Sequence, residues 1–434
     1  MGALMSEPIS AMAVEKFTSR GWTAGAAAMQ GWRRSFEDRH ILKDACHGAE
    51  PAAIFAVLDG HGGRLAAAES CLLLQEHLVR IARQGTMLDE DAREELKKAF
   101  VKADADLRAS LPPEDRSGTT VVAAVITNPS EGQYCVRLAH CGDSRAVLRT
   151  AATGRLHSTE DHKPSREDET SRIRAAGGSV DQGPLGGPMR VDGSLAVSRA
   201  MGDFHFKPHD LEPEFCKVTT LPEVKTVWCT SGDWILLACD GIFDVLSTEE
   251  VAEFVEERLR DDSTGSDVAK VVQDLLQECL KRDSKDNCTA VLVRLGDFFV
   301  TSQLERELVQ GKWNESGPEI RSKYAEFFEC EGFLEAAQEV HNFIPPVKQA
   351  EATTSTKEAV DSPDQSSSAA ADTKFVSDAS TTSTGSMKSL GSQGARTFTA
   401  LAKAIQAVRS TRTIQAHWRQ RRSKDVKAPA SESS

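Results

Sequence analysis

Two apolar runs, Ile54-Phe55-Ala56-Val57-Leu58 and Trp234-Ile235-Leu236-Leu237-Ala238-Cys239, each stop abruptly at an Asp-Gly pair. Runs of that length read as buried strands, and Asp-Gly is a turn pair, so each aspartate sits where a strand leaves the core. One such pair would be an ordinary turn. Here acidic clusters recur at four distant places: Glu37-Asp38, Asp59-Gly60-His61-Gly62-Gly63, Asp240-Gly241-Ile242-Phe243-Asp244 and Asp286-Asn287.

Carboxylates brought to strand ends from such separated positions point to a divalent-metal centre. Mg²⁺ and Mn²⁺ take oxygen ligands and keep several waters, so a few carboxylates suffice. Zinc fits poorly, because the ten cysteines are dispersed with no Cys-x-x-Cys pair and no histidines show His-Glu-x-x-His spacing. Arg33 lies four residues before Glu37. A guanidinium beside carboxylate-held metal is suited to gripping a phosphate.

Elsewhere, Thr119 to Thr127 and Tyr134 to His140 read as strands. Leu96, Phe100, Ala103 and Leu107 fall at helical spacing, as do Val251, Phe254, Val255 and Leu259, then Val268, Val271, Val272, Leu275, Leu276 and Cys279. Strands leading into one another through short turns predict antiparallel sheets with helices outside rather than a parallel repeat.

The stretches Gly31-Trp32-Arg33-Arg34-Ser35-Phe36-Glu37-Asp38, Val57-Leu58-Asp59-Gly60-His61-Gly62-Gly63, Ser117-Gly118-Thr119-Thr120, Cys141-Gly142-Asp143-Ser144-Arg145, Gly193 to Asp203, Ala238-Cys239-Asp240-Gly241-Ile242-Phe243-Asp244 and Asp286-Asn287-Cys288-Thr289 resemble, in order, the motifs of metal-dependent protein serine/threonine phosphatases of type 2C. The resemblance covers roughly residues 20 to 295 and implies an α+β fold, a four-layer α-β-β-α sandwich of two antiparallel sheets with a binuclear metal centre at one end. It implies that Asp59 bridges two Mn²⁺ or Mg²⁺ ions, with the Gly60 carbonyl, Asp240, Asp286 and Glu37 completing the shell and Asp38 outside it. Asp143 and Asp244 match positions of a third, weaker metal. The implied reaction is direct attack on the phosphorus by a metal-bridging hydroxide, with Arg33 on the phosphate oxygens and His61 as general acid, against the plainer reading of His61 as a structural hydrogen-bonding group. The competing cysteine mechanism is disfavoured: the one Cys-x5-Arg spacing, Cys288 to Arg294, runs through the apolar stretch Ala290-Val291-Leu292-Val293 rather than a glycine-bearing phosphate loop. Two positions depart from the family pattern without removing a ligand: Phe36 replaces a common Met, and Arg39 stands where a small residue is usual.

Residues 160 to 190 run from Asp161-His162-Lys163-Pro164 through a charged helical stretch into a Gly- and Pro-rich segment, and match the family's flap beside the active site. The division expected along the chain is an N-terminal segment (1–19), a catalytic domain (20–297), a helical appendage (298–345) anchored by Leu304, Leu308, Phe327, Phe328, Phe333 and Leu334, a disordered Ser/Thr/Ala/Asp-rich linker (346–395), a basic helix (396–424) and a tail (425–434). The basic segment holds eight Lys or Arg and no Asp or Glu in a chain whose net charge is −13. Phe398, Leu401, Ile405 and Val408 share a helical face, and Ile414-Gln415 followed by Arg419 and Lys424 resembles the IQ motif of segments that bind calmodulin or calmodulin-like proteins, departing at Gln420. Three uses fit such a helix: a calmodulin target, an anionic-membrane binder or a nuclear localisation signal.

Met1-Gly2-Ala3-Leu4-Met5-Ser6 satisfies the N-myristoylation pattern, and one acyl chain plus the basic helix would make two membrane signals. The sequence has no apolar stretch of spanning length and no secretory leader, so the expectation is a cytoplasmic protein, with a nuclear or peripherally membrane-associated location as alternatives. The acidic balance speaks against specific nucleic-acid binding. The substrates expected are phosphoproteins. The rival readings are a calmodulin-responsive scaffold that uses a phosphatase fold as a docking module, and a metal phosphohydrolase acting on small molecules or nucleic acid.

Overall fold

The computed structural model describes residues 4–46, 51–85, 88–260, 267–296 and 302–344. The linker, the basic helix, the tail and Gly2 lie outside the described residues.

Two antiparallel sheets form the centre. One has seven strands, in the order Leu156–Ser158, Arg145–Arg149, Trp234–Ala238, Cys288–Leu295, Trp22–Gly31, Ile9–Ser19 and Gln303–Val309. The other has five: Glu223–Thr230, Gln133–Cys141, Val121–Ser130, Ala52–Leu58 and Arg39–Asp44. Side chains alternate across each strand, and in the central strands both faces are buried. Ala53, Phe55 and Val57 pack between the sheets, while Ile54, Ala56 and Leu58 face outward under helices. Ile235 and Leu237 do the same opposite Trp234, Leu236 and Ala238. This is why these strands read as unbroken apolar runs.

Helices α1 (Leu65–Ala82) and α2 (Asp89–Ser110) cover the five-stranded sheet. A short helix α3 (Glu167–Ala175) lies in the flap, and α4 (Asp240–Phe243) opens where Trp234–Ala238 ends. Helices α5 (Thr248–Arg260) and α6 (Val268–Lys281) cover the seven-stranded sheet, completing the expected α-β-β-α layering. Packing there is close enough that a Cβ on Gly25 would stand 2.4 Å from the Cα of Ala269 in α6.

Two expected boundaries are corrected. The catalytic sheet does not begin at residue 20: Ile9–Ser19 is a full strand, hairpinned to Trp22–Gly31 through Gly21 at φ 97°. Residues 298–345 are not purely helical either. Gln303–Val309 is an edge strand paired antiparallel with Ile9–Ser19, and Leu304 is half exposed rather than an anchor. Its Leu spacing suits a helix, but pairing with a distant strand prevails, helped by Arg306 across from Glu15 at 2.7 Å. Helices α7 (Pro318–Cys330) and α8 (Leu334–Asn342) follow. Phe327 and Phe328 are fully buried, and these helices pack on Ile9, Ala11, Ala13 and Ala28 of the seven-stranded sheet.

Gly25→Ala is expected to lower stability by about 1–3 kcal/mol through forced separation of α6 from the sheet, read as a lower urea midpoint at unchanged m-value.

Candidate metal centre

Both sheets send strand ends to the same place. Asp59 follows Ala52–Leu58, Asp143 follows Gln133–Cys141, and Asp38 precedes Arg39–Asp44; from the other sheet, Asp240 follows Trp234–Ala238 and Asp286 precedes Cys288–Leu295. A cleft of about 610 Å³ opens there, lined by Arg33, Glu37, Asp59, Gly60, His61, Asp143, Asp203, Asp240 and Asp286 among others. Carboxylate oxygens of Asp240, Asp244 and Asp286 lie within 4.8 Å of one another. Asp38 is buried beneath them at 1% exposure.

These carboxylates cannot all be charged at low cost. Burial first, then Asp240, Asp38, Asp286 and Asp143, push the Asp59 carboxyl well above the usual range. Burial with Asp143, Asp286 and Asp244 does the same to Asp240, against the pull of Lys163. Asp38 is raised to about 7 by burial and by Asp286. Burial also raises Asp286 and Asp244, although the Arg33 guanidinium pulls Asp286 down and Lys163 opposes the shift at Asp244. Asp38 Oδ2 accepts from Thr289 at 2.7 Å, while its buried Oδ1 has no hydrogen-bond partner among the described residues. An orphaned carboxylate oxygen in a repelling cluster is what a cation would satisfy. Cys239 and Cys288 lie close by, with burial driving both thiols well above their ordinary value, but the ligand-type atoms that gather within 4.8 Å here are the carboxylate oxygens of Asp240, Asp244 and Asp286.

The loop from Arg33 to Asp38 is held by a residue whose role the sequence did not disclose. Asn287 Nδ2 donates to the carbonyls of Gln30 (2.8 Å) and Ser35 (3.1 Å), and its Oδ1 accepts from the Glu37 amide at 3.0 Å. Arg33 forms an ion pair with Asp286, and Glu37 Oε2 accepts from the Gly63 amide at 3.1 Å. Gly60 passes so near the loop that a Cβ would lie 2.4 Å from the Glu37 carbonyl oxygen.

Asp203 holds His61 in a comparable way. Its carboxylate meets His61 Nε2 at 2.6 Å and is 2% exposed. Burial disfavours the imidazolium, yet Asp203, with Asp143 and Glu37, outweighs it and raises the His61 pKa. Gly118 makes room for this pair, since a Cβ there would fall 2.1 Å from Asp203 Oδ2. Asp203 stands inside the Gly193 to Asp203 motif, but only the fold places it opposite His61.

The protein phosphatase 2C family model matches residues 22–288, more than half of the chain. The chain belongs to the protein phosphatase 2C family. Among curated relatives it is 40% identical over 278 residues to "Probable protein phosphatase 1N" of Homo sapiens, covering 63% of this chain and 61% of the relative. It is 36% identical over 342 residues to "Protein phosphatase 2C homolog 3" of Schizosaccharomyces pombe, covering 75% and 77%. The match thus spans less than two thirds of the human protein's length. Among solved structures, a phosphatase of Toxoplasma gondii superposes with a TM-score of 0.60 at 27% identity, over 68% of this chain and 99% of that one.

In this family member the flap is tied down by ion pairs. Glu169 on α3 is fully buried and receives Arg199 Nη2 at 2.6 Å, Arg172 Nη1 at 2.8 Å and the Ser198 hydroxyl at 2.5 Å. Beyond α3, a hairpin of Val180–Gln182 with Met189–Val191 carries Leu185 fully exposed at φ 56°. Arg190 and Ser194 to Val197 line the cleft, so its wall extends past the expected flap limit at 190.

A second group, His140, His162 and Glu223, also brings ligand-type atoms within 4.8 Å. Its rings are stacked at 4.4 Å and 19°, so their in-plane lone pairs do not converge on one point. Glu223 Oε1 already takes Arg166 at 2.5 Å and Arg199 at 3.4 Å, and His140 Nε2 meets the Glu160 carbonyl at 2.8 Å. Two guanidiniums on its only carboxylate make this an anchor of the flap base rather than a cation site.

Glu169→Leu is expected to cost about 3–5 kcal/mol by removing the buried carboxylate that Arg172 and Arg199 share. Burial alone would raise the Glu169 pKa, but Arg199, Arg172 and Ser198 carry it from 4.5 down to about 2. Its stabilising contribution is therefore complete above pH 4.5 and lost as pH falls toward 2. Acid titration of the urea midpoint should be steeper in the wild type than in Glu169→Leu over that window.

Proposed function

We propose that the chain is a metal-dependent protein serine/threonine phosphatase. The observation that carries this reading is the convergence of Asp59, Asp240 and Asp286 on one cleft with Asp38 buried beside them, their carboxyl pKa values driven upward and one buried Asp38 oxygen unpartnered among the described residues. The phosphatase names of its relatives support the substrate class.

An all-oxygen donor set suits Mg²⁺ or Mn²⁺. Asp59, Asp240, Asp286, Glu37 and the Gly60 carbonyl would hold two ions, Asp38 would support them from beneath, and Asp143 and Asp244 would serve a third, weaker one. Such ions supply Lewis acidity and activate water at neutral pH. Arg33, already beside Asp286, orients the phosphate oxygens across the cleft. His61, held by Asp203 and biased toward the imidazolium, gives its proton to the departing serine or threonine oxygen. Lys163, paired with Asp143, keeps a cation at the flap side of the cleft and limits how tightly a third ion binds there.

Segment 396–424 is a candidate calmodulin-binding helix and Gly2 a candidate acylation site, which together would regulate or localise the enzyme at membranes, in the cytoplasm or in the nucleus. Their support is the sequence pattern: a basic amphipathic helix with an IQ-like core, and an N-terminal Gly followed by Ser6.

Purified full-length chain should release phosphate from a phosphothreonine peptide with Mn²⁺ or Mg²⁺ and not in EDTA, and Asp240→Asn should lose about a hundredfold or more. His61→Gln should lose about a hundredfold on the peptide and far less on p-nitrophenyl phosphate, whose leaving group needs no proton. A folded chain that binds metal yet turns over neither substrate would favour the scaffold reading. Calmodulin resin should retain the full-length protein but not one lacking 396–424; equal retention of both, or of neither, removes that partner.

A further inference from the structure

The stretch Arg33–Asp38, which brings Arg33 and Glu37 to the cleft, has no regular secondary structure. Its hold on the acidic side is polar, through Asn287 and Thr289. Its apolar hold lies elsewhere. Phe36 is 5% exposed and joins none of the three clusters of the sandwich; it belongs to the cluster that α7 and α8 form with Ile9, Ala11, Ala13 and Ala28 of the seven-stranded sheet. There its ring meets Phe327 of α7 edge to face, with centroids 5.2 Å apart at 88°.

Arg39 makes a second connection to the same helix. Its Nη1 donates to the Asp38 carbonyl at 2.6 Å and lies 3.9 Å from Glu331, while Nη2 reaches Cys330 Sγ at 3.1 Å, so one guanidinium joins the loop backbone to the end of α7. A cation at a helix C-terminus is favourably placed. The start of the loop is held too: the Met5 amide donates to the Trp32 carbonyl at 3.0 Å, and Met5 packs on the α7–α8 cluster. Phe36 and Arg39 are the two positions at which this loop departs from the family pattern, and both face α7. They bracket Glu37-Asp38, so a shift of α7 relative to the sheet must displace the ligand-bearing backbone between them.

We propose that α7 is a positioning element for the metal and phosphate loop, acting through Phe36–Phe327 and through Arg39 with Glu331 and Cys330 to set Glu37 and Arg33 against the acidic cluster. The inference rests on the metal-centre reading above and extends it to a part of the chain that contributes no residue to the cleft.

The test uses full-length protein and reads Mn²⁺ binding by calorimetry, independent of turnover, with KM for p-nitrophenyl phosphate and thermal melting alongside. Phe327→Ala is expected to weaken Mn²⁺ binding about tenfold and raise KM. Arg39→Ala should move both in the same direction, and Phe327→Leu should recover most of the affinity. Tyr324→Phe is the control. It removes the hydroxyl that Ser10 contacts at 3.1 Å from the same helix, and should lower the melting temperature without changing Mn²⁺ affinity. Wild-type Mn²⁺ affinity in Phe327→Ala despite a lower melting temperature would overturn the proposal, as would an equal loss in Tyr324→Phe. If Phe327→Ala does not fold, Arg39→Ala decides: unchanged affinity and KM reject the proposal. Wild-type protein that binds Mn²⁺ but hydrolyses nothing sinks the phosphatase reading alone, while absence of Mn²⁺ binding removes both.

Discussion

The crowding of carboxylates into a poorly solvated cleft is the constraint around which this protein is built. Asp38, Asp59, Asp240 and Asp286 arrive from two sheets at one end of the sandwich, and each has its pKa raised chiefly by burial, with acidic neighbours adding to the effect. Without positive charge the cluster would push apart or take up protons; with divalent cations the same arrangement becomes a site. The surrounding design serves that end. Central strands buried on both faces fix where each strand stops, and the stops are where the aspartates lie.

Around this centre stands a layer of residues that hold rather than react. Asn287 staples the Arg33–Asp38 stretch to the strand that carries Asp286, and Asp203 fixes the His61 ring. Small residues set the tolerances: Gly60 under the Glu37 carbonyl and Gly118 under the His61–Asp203 pair each occupy a space that a single methyl group would fill. On the far side of the loop, α7 supplies the apolar contact that the sandwich itself does not provide. The flap hangs on Glu169, whose buried charge is sustained by arginines from its own helix and from the segment that lines the cleft.

Much of this was legible in the chain. The unbroken runs Ile54–Leu58 and Trp234–Cys239, the helical spacing in α2, α5 and α6, and the recurrence of acidic pairs point to sheets with helices outside and carboxylates at strand ends, while the type 2C resemblance implies the four layers and the single metal site. What escaped was non-local. Ile9–Ser19 is of mixed composition and is held between Trp22–Gly31 and Gln303–Val309, and Gln303–Val309 is mostly polar and becomes a strand through that pairing. Asp203 and Asn287 were visible as motif residues, but their partners lie 142 and 250 positions away in the chain. Phe36 and Arg39 looked like minor departures until α7 came to rest on them.

The most direct test is to locate metal in crystals of the full-length protein grown with Mn²⁺, using anomalous scattering at the manganese edge. Two strong peaks among Asp59, Asp240 and Asp286, with the Glu37 and Gly60 oxygens facing them, are the expected result. An empty acidic cluster, or manganese seated instead at His140, His162 and Glu223, would contradict the central claim.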